Sequence, residues 1–130
     1  APYLLPKESL VCDWSKELPV VTQLDRMTHC FTAAYGRIVH RATGSLLLED
    51  REHPGPIAEH PLDRSDMVQY VGKLRRFTPE EIAALFGFPE TFQFPHDLGL
   101  QHRYKLIGNA VSVFVVARVA GRLLNGSIYT

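Results

Sequence analysis

The pattern of apolar and polar residues changes between the first 70 residues and the rest of the chain. The first part is irregular and rich in proline, and its short apolar runs Leu18–Leu24 and Gly36–Val39 are typical of strands. The stretch from Glu49 to Asp66 is mostly polar and contains the turn signal His53-Pro54-Gly55-Pro56. Because such a stretch buries little apolar area, we expect a surface loop there.

The second part of the chain has the pattern of three helices. Thr78-Pro79-Glu80-Glu81 is a strong helix start, because the threonine can cap, proline fits the first helical position and the second glutamate completes a capping box. An apolar face follows, and Gly87 offers a left-handed stop. A second helix is predicted over Leu100–Leu106. A third is predicted from about Asn109 to Leu124.

Bulk composition excludes several classes of protein. The 130 residues suit one domain or a piece of one, with 45% hydrophobic and 22% charged residues. Two cysteines are too few for a disulfide scaffold. The formal net charge is zero, so any contact with nucleic acid has to rest on a local patch. The segment from Ile107 to Leu124 comes nearest to a membrane span, but Asn109, Arg118 and Arg122 interrupt it, so we expect no membrane partner.

Local motifs give little evidence of catalysis. Cys12 and Cys30 lack an activating context and are typical of small semi-buried residues, and the histidines lack the cysteine partners of a zinc site. No glycine-rich phosphate loop is present. Two small basic clusters remain, at residues 73–76 and at His102–Lys105. Each could be a solvated face or a phosphate contact, and composition leaves both interpretations open.

Two blocks of the sequence resemble the last two conserved blocks of the cytosine-carbon-5 methyltransferases. They are RRFTPEEIAALFGFPETFQFP, residues 75–95, and RYKLIGNAVSVFVVARVAGRLL, residues 103–124. Two further stretches, YLLPKESL at residues 3–10 and CFTAAYGRIVHRATGS at residues 30–45, are similar to one branch of that family. That branch looks like DNA methyltransferases throughout, and it methylates cytosine in the anticodon loop of aspartate tRNA.

The resemblance implies a fold class and a division of the chain. The implied class is α/β, as the C-terminal part of a Rossmann-like methyltransferase dependent on S-adenosylmethionine (S-adenosyl-L-methionine). Residues 1–72 would form an irregular mixed target-recognition region with a surface loop at about 49–66. Residues 73–130 would form C-terminal helices that return to the catalytic domain.

The catalytic motifs of the family are missing from the sequence. It has no glycine-rich cofactor loop, Pro-Cys-Gln nucleophile, Glu-Asn-Val acid or Arg-x-Arg pair. Because the family's chemistry needs a cysteine thiolate and a glutamate, we assign no catalytic residue and no metal ligand to this chain. We expect the chain to be inactive alone and to work with the N-terminal catalytic part of the same enzyme.

The resemblance also implies which residues border the cofactor. In the family a Gly-Asn turn at the start of the last helix lines the S-adenosylmethionine pocket, and Gly108-Asn109 matches it. Asn109 would supply a side-chain amide. The backbone amides of Ala110 and Val111 would face the cofactor's carboxylate from a helix N-terminus. That Asn109 merely caps the helix explains the residue type equally well.

The implied substrate is the anticodon stem-loop of tRNA-Asp, whose bases could stack on exposed aromatic rings. The residues expected to position it are Cys30, Phe31, Thr32, Tyr35 and the Thr43-Gly44-Ser45 turn. The residues expected to contact phosphates are Arg75, Arg76, Arg103 and Lys105.

Three alternatives stay open at this point. One is a fragment of a DNA cytosine-C5 methyltransferase, and another is a non-catalytic nucleic-acid-binding module. The third, a structural interaction domain without nucleic acid, survives mainly because the net charge is zero. We expect the protein in the cytoplasm, with a nuclear fraction left open.

Overall fold

The computed structural model of the chain describes residues 2–39, 44–50, 52, 62–110 and 112–125. Most of the predicted surface loop at 49–66 lies outside these ranges, as do Thr43 and Val111. In chain order the elements are α1 (Lys7–Leu10), a 3₁₀ turn (Asp13–Glu17), β1 (Val20–Val21), β2 (Leu46–Leu48), a second 3₁₀ turn (Met67–Tyr70), β3 (Leu74–Arg76), α2 (Pro79–Leu85), α3 (Leu100–Gly108) and α4 (Val113–Leu124).

A small mixed sheet joins the two parts of the chain. β2 is its central strand, paired parallel to β1 and antiparallel to β3, with Leu48 opposite Leu74. β1 lies inside the predicted strand Leu18–Leu24, which is confirmed in part. The strand predicted at Gly36–Val39 is wrong, because this segment closes a turn in which the Ile38 N–H donates to the Ala34 carbonyl.

Two buried clusters flank the sheet, and each draws residues from both sides of the 72/73 boundary. The β2–β3 pairing crosses the same boundary. The residues before and after this boundary therefore pack as one unit in the part of the chain that the structure describes. The first cluster contains Phe31, Tyr35, Leu47, Phe77, Ile82, Ala83, Phe94, Tyr104 and Ile107. The second contains Leu5, Leu10, Leu18, Leu46, Leu48, Met67 and Leu74.

Helix α2 has the predicted start. The Thr78 hydroxyl accepts from the Glu81 N–H at 3.1 Å, and the Glu81 carboxylate accepts from the Thr78 N–H at 2.7 Å. These reciprocal bonds satisfy two of the donors that a helix N-terminus leaves open. Gly87 follows the helix with a φ of +83°, which confirms the left-handed stop.

The last two helices depart from the prediction at their junction. α3 includes the predicted span and continues to Gly108. Asn109 then ends α3, with its N–H donating to the carbonyls of Lys105 and Leu106. The prediction that the last helix begins near Asn109 is wrong, because α4 starts at Val113 behind a Ser112 cap.

By length and composition alone, the helical stretch Leu100–Leu124 could cross a membrane, although we expected its polar residues to exclude it. The core helix of a soluble protein passes the same test. The stretch is divided at residues 109–112, where one helix ends and the next begins. It therefore carries no functional conclusion by itself.

Gly108 fixes where α3 meets the chain segment after Cys30. A methyl group at this position would lie closer than 3.0 Å to the Thr32 and Ala33 backbone. A similar contact forms one turn earlier in α3, where the Tyr104 ring lies so close to Gly36 that a Cβ at position 36 has no room. Glycine is required at both places because main chain or ring fills the space of a side chain.

We predict that Gly108→Ala lowers the free energy of unfolding by about 2–3 kcal/mol, because backbone has to move to admit the methyl group. Gly121→Ala in α4 is the matched control. Nothing lies within 4 Å of its added Cβ, so it should stabilise the helix by about 0.5–1 kcal/mol. Urea unfolding of the two variants measures both values. Equal effects at the two glycines would contradict the close packing of Gly108.

Candidate nucleic-acid interface

Two residues expected to position the substrate lie in the core. The Phe31 ring packs edge-on against Tyr35 and Phe77, with centroids 4.9 and 5.4 Å away. The Tyr35 hydroxyl donates to the Ser45 carbonyl at 2.7 Å and accepts from the Phe77 N–H at 2.9 Å. Burial raises the pKa of Tyr35, so its phenol stays neutral. Both side chains are buried beneath the surface, and neither is accessible to a ligand.

The residues on either side of Phe31 are at the surface. Cys30 and Thr32 are exposed, and the chain passes from one to the other over the buried ring. Ser45, from the predicted turn, is fully buried and its hydroxyl accepts from the His29 N–H at 3.0 Å. Among the described members of the substrate-positioning set, Cys30 and Thr32 are therefore the two with direct access to a ligand.

Arg75 is buried and held by two carboxylates. Its guanidinium makes a bidentate contact with Glu81 at 2.7 and 2.9 Å, and its Nε lies 2.6 Å from Glu49. Burial opposes the charged form of Glu81, but the hydrogen bonds from Arg75 and Thr78 outweigh burial and lower the pKa of this carboxyl. Hydrogen bonding to Glu81 in turn raises the pKa of Arg75. The structure thus gives Arg75 a partner on each side and a place in the interior, not at a phosphate.

Arg103 is also committed to contacts within the chain. Its Nε donates to the Leu98 carbonyl at 2.9 Å, and its Nη1 lies 3.3 Å from Glu80. The guanidinium carbon is 5.5 Å from the centre of the Phe94 ring, within cation–π range. Arg103 therefore ties the start of α3 to the segment before it.

Lys105 lies in a different environment from these two arginines. It is exposed, and together with Arg37 it lines an open pocket of about 320 Å³ between α3 and the turn at residues 33–37. In the described part of the chain neither cation pairs with a carboxylate. The described residues that line it are Ala33, Ala34, Arg37, Gln101, His102 and Lys105.

Arg37 was missed by the sequence reasoning, because a strand was predicted over Gly36–Val39. The signal that could have found it is its position five residues after Thr32, within the stretch that resembles the tRNA branch. Arg76, the remaining predicted phosphate contact, is partly buried and lies outside the pocket lining.

The predicted cofactor edge changes with the helix boundary. Asn109 is exposed at the C-terminal end of α3, so it is not the N-cap of α4. The Ala110 N–H donates to the Ile107 carbonyl at 3.1 Å, and the Val113 N–H donates to the Phe86 carbonyl at 2.7 Å. The Ala110 amide is thus bonded within the chain at the end of α3, and Val111, the other amide expected to face the carboxylate, lies outside the described residues. The Asn109 side chain is the one predicted cofactor contact that the structure leaves at the surface among its described residues.

Metal ligation has no obvious place here. No group of three or more His, Cys, Asp and Glu side chains that could hold a metal ion occurs within the ranges that the structure describes.

The fold is that of a part of an α/β methyltransferase. It matches a solved structure of a methyltransferase from Entamoeba histolytica with a TM-score of 0.78 and 29% sequence identity, covering 95% of this chain and 37% of that one. A family model for C-5 cytosine-specific DNA methylases matches residues 29–125. The chain therefore belongs to this enzyme family, which confirms the resemblance and the fold class.

Two curated relatives have names that give different nucleic acids as the substrate. The tRNA (cytosine(38)-C(5))-methyltransferase of Rattus norvegicus is 38% identical over 128 residues, which cover 92% of this chain and 31% of the relative. A DNA (cytosine-5)-methyltransferase of Dictyostelium discoideum is 35% identical over 100 residues, covering 76% of this chain and 24% of the relative. The chain thus spans about a third or less of the curated relatives it matches.

We predict that Arg75→Met lowers the free energy of unfolding by about 2–3 kcal/mol at neutral pH, because it leaves Glu81 and Glu49 without their cation. Lys73→Met is the matched control: its ion pair with Asp50 is 3.5 Å long and its side chain is 47% exposed, so the cost should be about 0.5 kcal/mol. Urea unfolding at neutral pH measures both costs.

The pH dependence of the same variant gives a second measure. The lowered pKa of Glu81 means that its contribution to stability is present above its ordinary value of 4.5 and is lost as the pH falls through the lowered pKa. Arg75→Met should therefore lose less stability than the unaltered chain on acidification. Unfolding curves at neutral and acid pH measure this, and parallel losses would contradict the ion-pair network.

Proposed function

We propose that the chain is the C-terminal part of an S-adenosylmethionine-dependent cytosine-C5 methyltransferase that acts on tRNA, at the anticodon loop of tRNA-Asp. The observation that carries this proposal is the match to a tRNA (cytosine(38)-C(5))-methyltransferase at 38% identity across 92% of the chain. The exposed residues Cys30 and Thr32 and the cationic pocket beside them support a nucleic-acid surface. The enzyme is assigned to the cytoplasm as part of the same proposal.

In this proposal the chain supplies recognition and another part of the enzyme supplies chemistry. The 130 residues contain no Pro-Cys-Gln and no Glu-Asn-Val, so the attacking thiolate and the ring-protonating acid have to come from elsewhere. The cofactor would supply the methyl group. This chain's own residues would bind the RNA stem-loop and hold it in orientation.

Helix α4 offers the surface on which the catalytic part would pack. Its seven valine, phenylalanine and leucine side chains are all exposed, from Val113 at 41% to Leu124 at 86%. A continuous apolar helix of this kind is costly to leave in water. Since the chain spans about a third of its relatives, burial of α4 against the N-terminal part accounts for this surface without a membrane.

A chimera tests the function directly. We expect a protein in which residues 1–130 replace the matching segment of the rat relative to transfer labelled methyl groups to tRNA-Asp, and the 130-residue chain alone to transfer none. A tRNA-Asp transcript with uridine in place of cytosine 38 should accept no label, which serves as the control. Label incorporated into duplex DNA but not into tRNA would contradict the proposal and favour the DNA methyltransferase alternative, which the Dictyostelium relative represents.

The cofactor contact is tested at Asn109. If its side-chain amide borders S-adenosylmethionine, Asn109→Ala in the chimera should weaken cofactor binding by about 1–2 kcal/mol, or roughly tenfold in Kd. Asn125→Ala is a close control, because Asn125 ends α4 with nearly the same backbone angles as Asn109 at the end of α3. Calorimetric titration measures both. Unchanged affinity in the Asn109 variant would remove this residue from the cofactor site.

A further inference from the structure

We infer that Arg37 and Lys105 together form a clamp for one phosphodiester of a bound RNA strand, in the pocket between the 33–37 turn and α3. This inference rests on the proposed function and adds to it the place where the RNA backbone is held. Arg37 belongs to no predicted site, and Lys105 acquires a partner that the sequence did not indicate.

The charges of the pocket favour an anion. Arg37 and Lys105 face it from two different elements, with His102 beside them and no carboxylate among the lining residues that the structure describes. Arg75 and Arg103, by contrast, each contact glutamate. In the described residues, ion pairs with glutamate thus neutralise two of the predicted phosphate-binding cations and leave Arg37 and Lys105 without a counter-charge. In a chain of zero net charge, such a local pair is what phosphate binding requires.

The shape of the pocket suits a nucleotide backbone. Its volume of about 320 Å³ is at the lower end of the range for small-ligand pockets, and two of its lining residues, Ala33 and Ala34, have small side chains. Gln101 and Lys105 are four residues apart in α3, so they lie on the same helix face. The Gln101 amide can donate to or accept from a ribose hydroxyl, the group that distinguishes RNA from DNA.

Both walls of the pocket are held in fixed positions. The 33–37 turn is closed by hydrogen bonds from the N–H groups of Tyr35 and Arg37 to the carbonyls of Thr32 and Ala34, each 3.0 Å long. α3 lies directly against this turn at Gly108 and at Tyr104. A phosphate bound here would therefore be placed beside the exposed Thr32, on the surface predicted to position the RNA.

The test measures binding of a fluorescent RNA stem-loop with the tRNA-Asp anticodon sequence to the full 130-residue chain, by anisotropy at several salt concentrations. Arg37→Gln combined with Lys105→Gln should weaken binding roughly tenfold at low salt and reduce the slope of log K against log salt by about 0.7–1, because one phosphate contact is lost. Arg118→Gln with Arg122→Gln removes the same charge from the exposed face of α4 and should change neither quantity.

A charge-conserving variant and two competing ligands complete the test. Arg37→Lys keeps the charge and should retain most of the salt slope, which shows that a loss in the glutamine variant is electrostatic and not a folding defect.

Equal losses in the pocket pair and the α4 pair, or no measurable binding by the unaltered chain, would overturn the inference. Tighter pair-dependent binding of a DNA stem-loop of the same sequence would overturn the assignment to RNA. Displacement of the RNA by an equal concentration of inorganic phosphate would assign the pocket to a free anion.

The inference and the proposed function can fail separately. If the chimera methylates tRNA with unchanged kcat and KM when it carries the pocket-pair variant, the clamp is wrong and the function stands. If the pocket pair controls RNA binding but the unaltered chimera methylates only DNA, the clamp stands and the proposed function is wrong.

Discussion

The contact between Gly108 and the backbone of Thr32 and Ala33 decides how the rest of the molecule is arranged. It brings main chain against main chain, at a separation that any side chain at position 108 would prevent. Tyr104 extends the same interface, since its ring covers Gly36 and its hydroxyl donates to the Phe77 carbonyl at the end of β3. α3 is thereby fixed both to residues 32–36 and to the sheet. Every described lining residue of the pocket lies on one of the two elements that this contact joins.

The Arg75 network carries the other long-range constraint. Glu81 accepts from the Thr78 N–H as part of the α2 capping box and from Arg75 of β3 at the same time. A local helix signal and a tertiary ion pair thus use one carboxylate. Loss of Arg75 would leave both carboxylates without a cation at a partly buried site, where an unpaired charge is costly. The network explains why Arg75, which resembles a phosphate contact in sequence, is held by carboxylates inside the fold.

Sequence patterns correctly predicted the features that depend on residues close together in the chain. The α2 capping box, the α3 span and the stop at Gly87 follow from residues within one turn of each other, and all three are confirmed. β2 and β3 could not be predicted because three residues are too few to show alternation, and their pairing depends on partners about 28 residues apart. The predicted start of α4 was wrong because Asn109 and Ser112 are both residue types that cap helices. The Val113 N–H donates to the Phe86 carbonyl, and this tertiary contact at the start of α4 cannot be seen in the local sequence. Which arginines are neutralised could not be read from sequence either, since Glu49 is 26 residues from Arg75.

Helix α3 connects the two proposed ligand contacts in a way that neither proposal requires by itself. Lys105 and Asn109 are four residues apart, and Asn109 keeps helical backbone angles, so the two side chains lie on one face about 6 Å apart along the helix axis. A phosphate clamp at Lys105 and a cofactor contact at Asn109 would then be held at a fixed separation by one rigid element. Gly108 packs α3 against Thr32. The same contact would therefore fix the relative positions of the bound RNA backbone, the exposed Thr32 and the cofactor contact at Asn109. Preorganisation of this kind reduces the ordering cost of binding, which suits a chain whose zero net charge offers little long-range attraction for RNA.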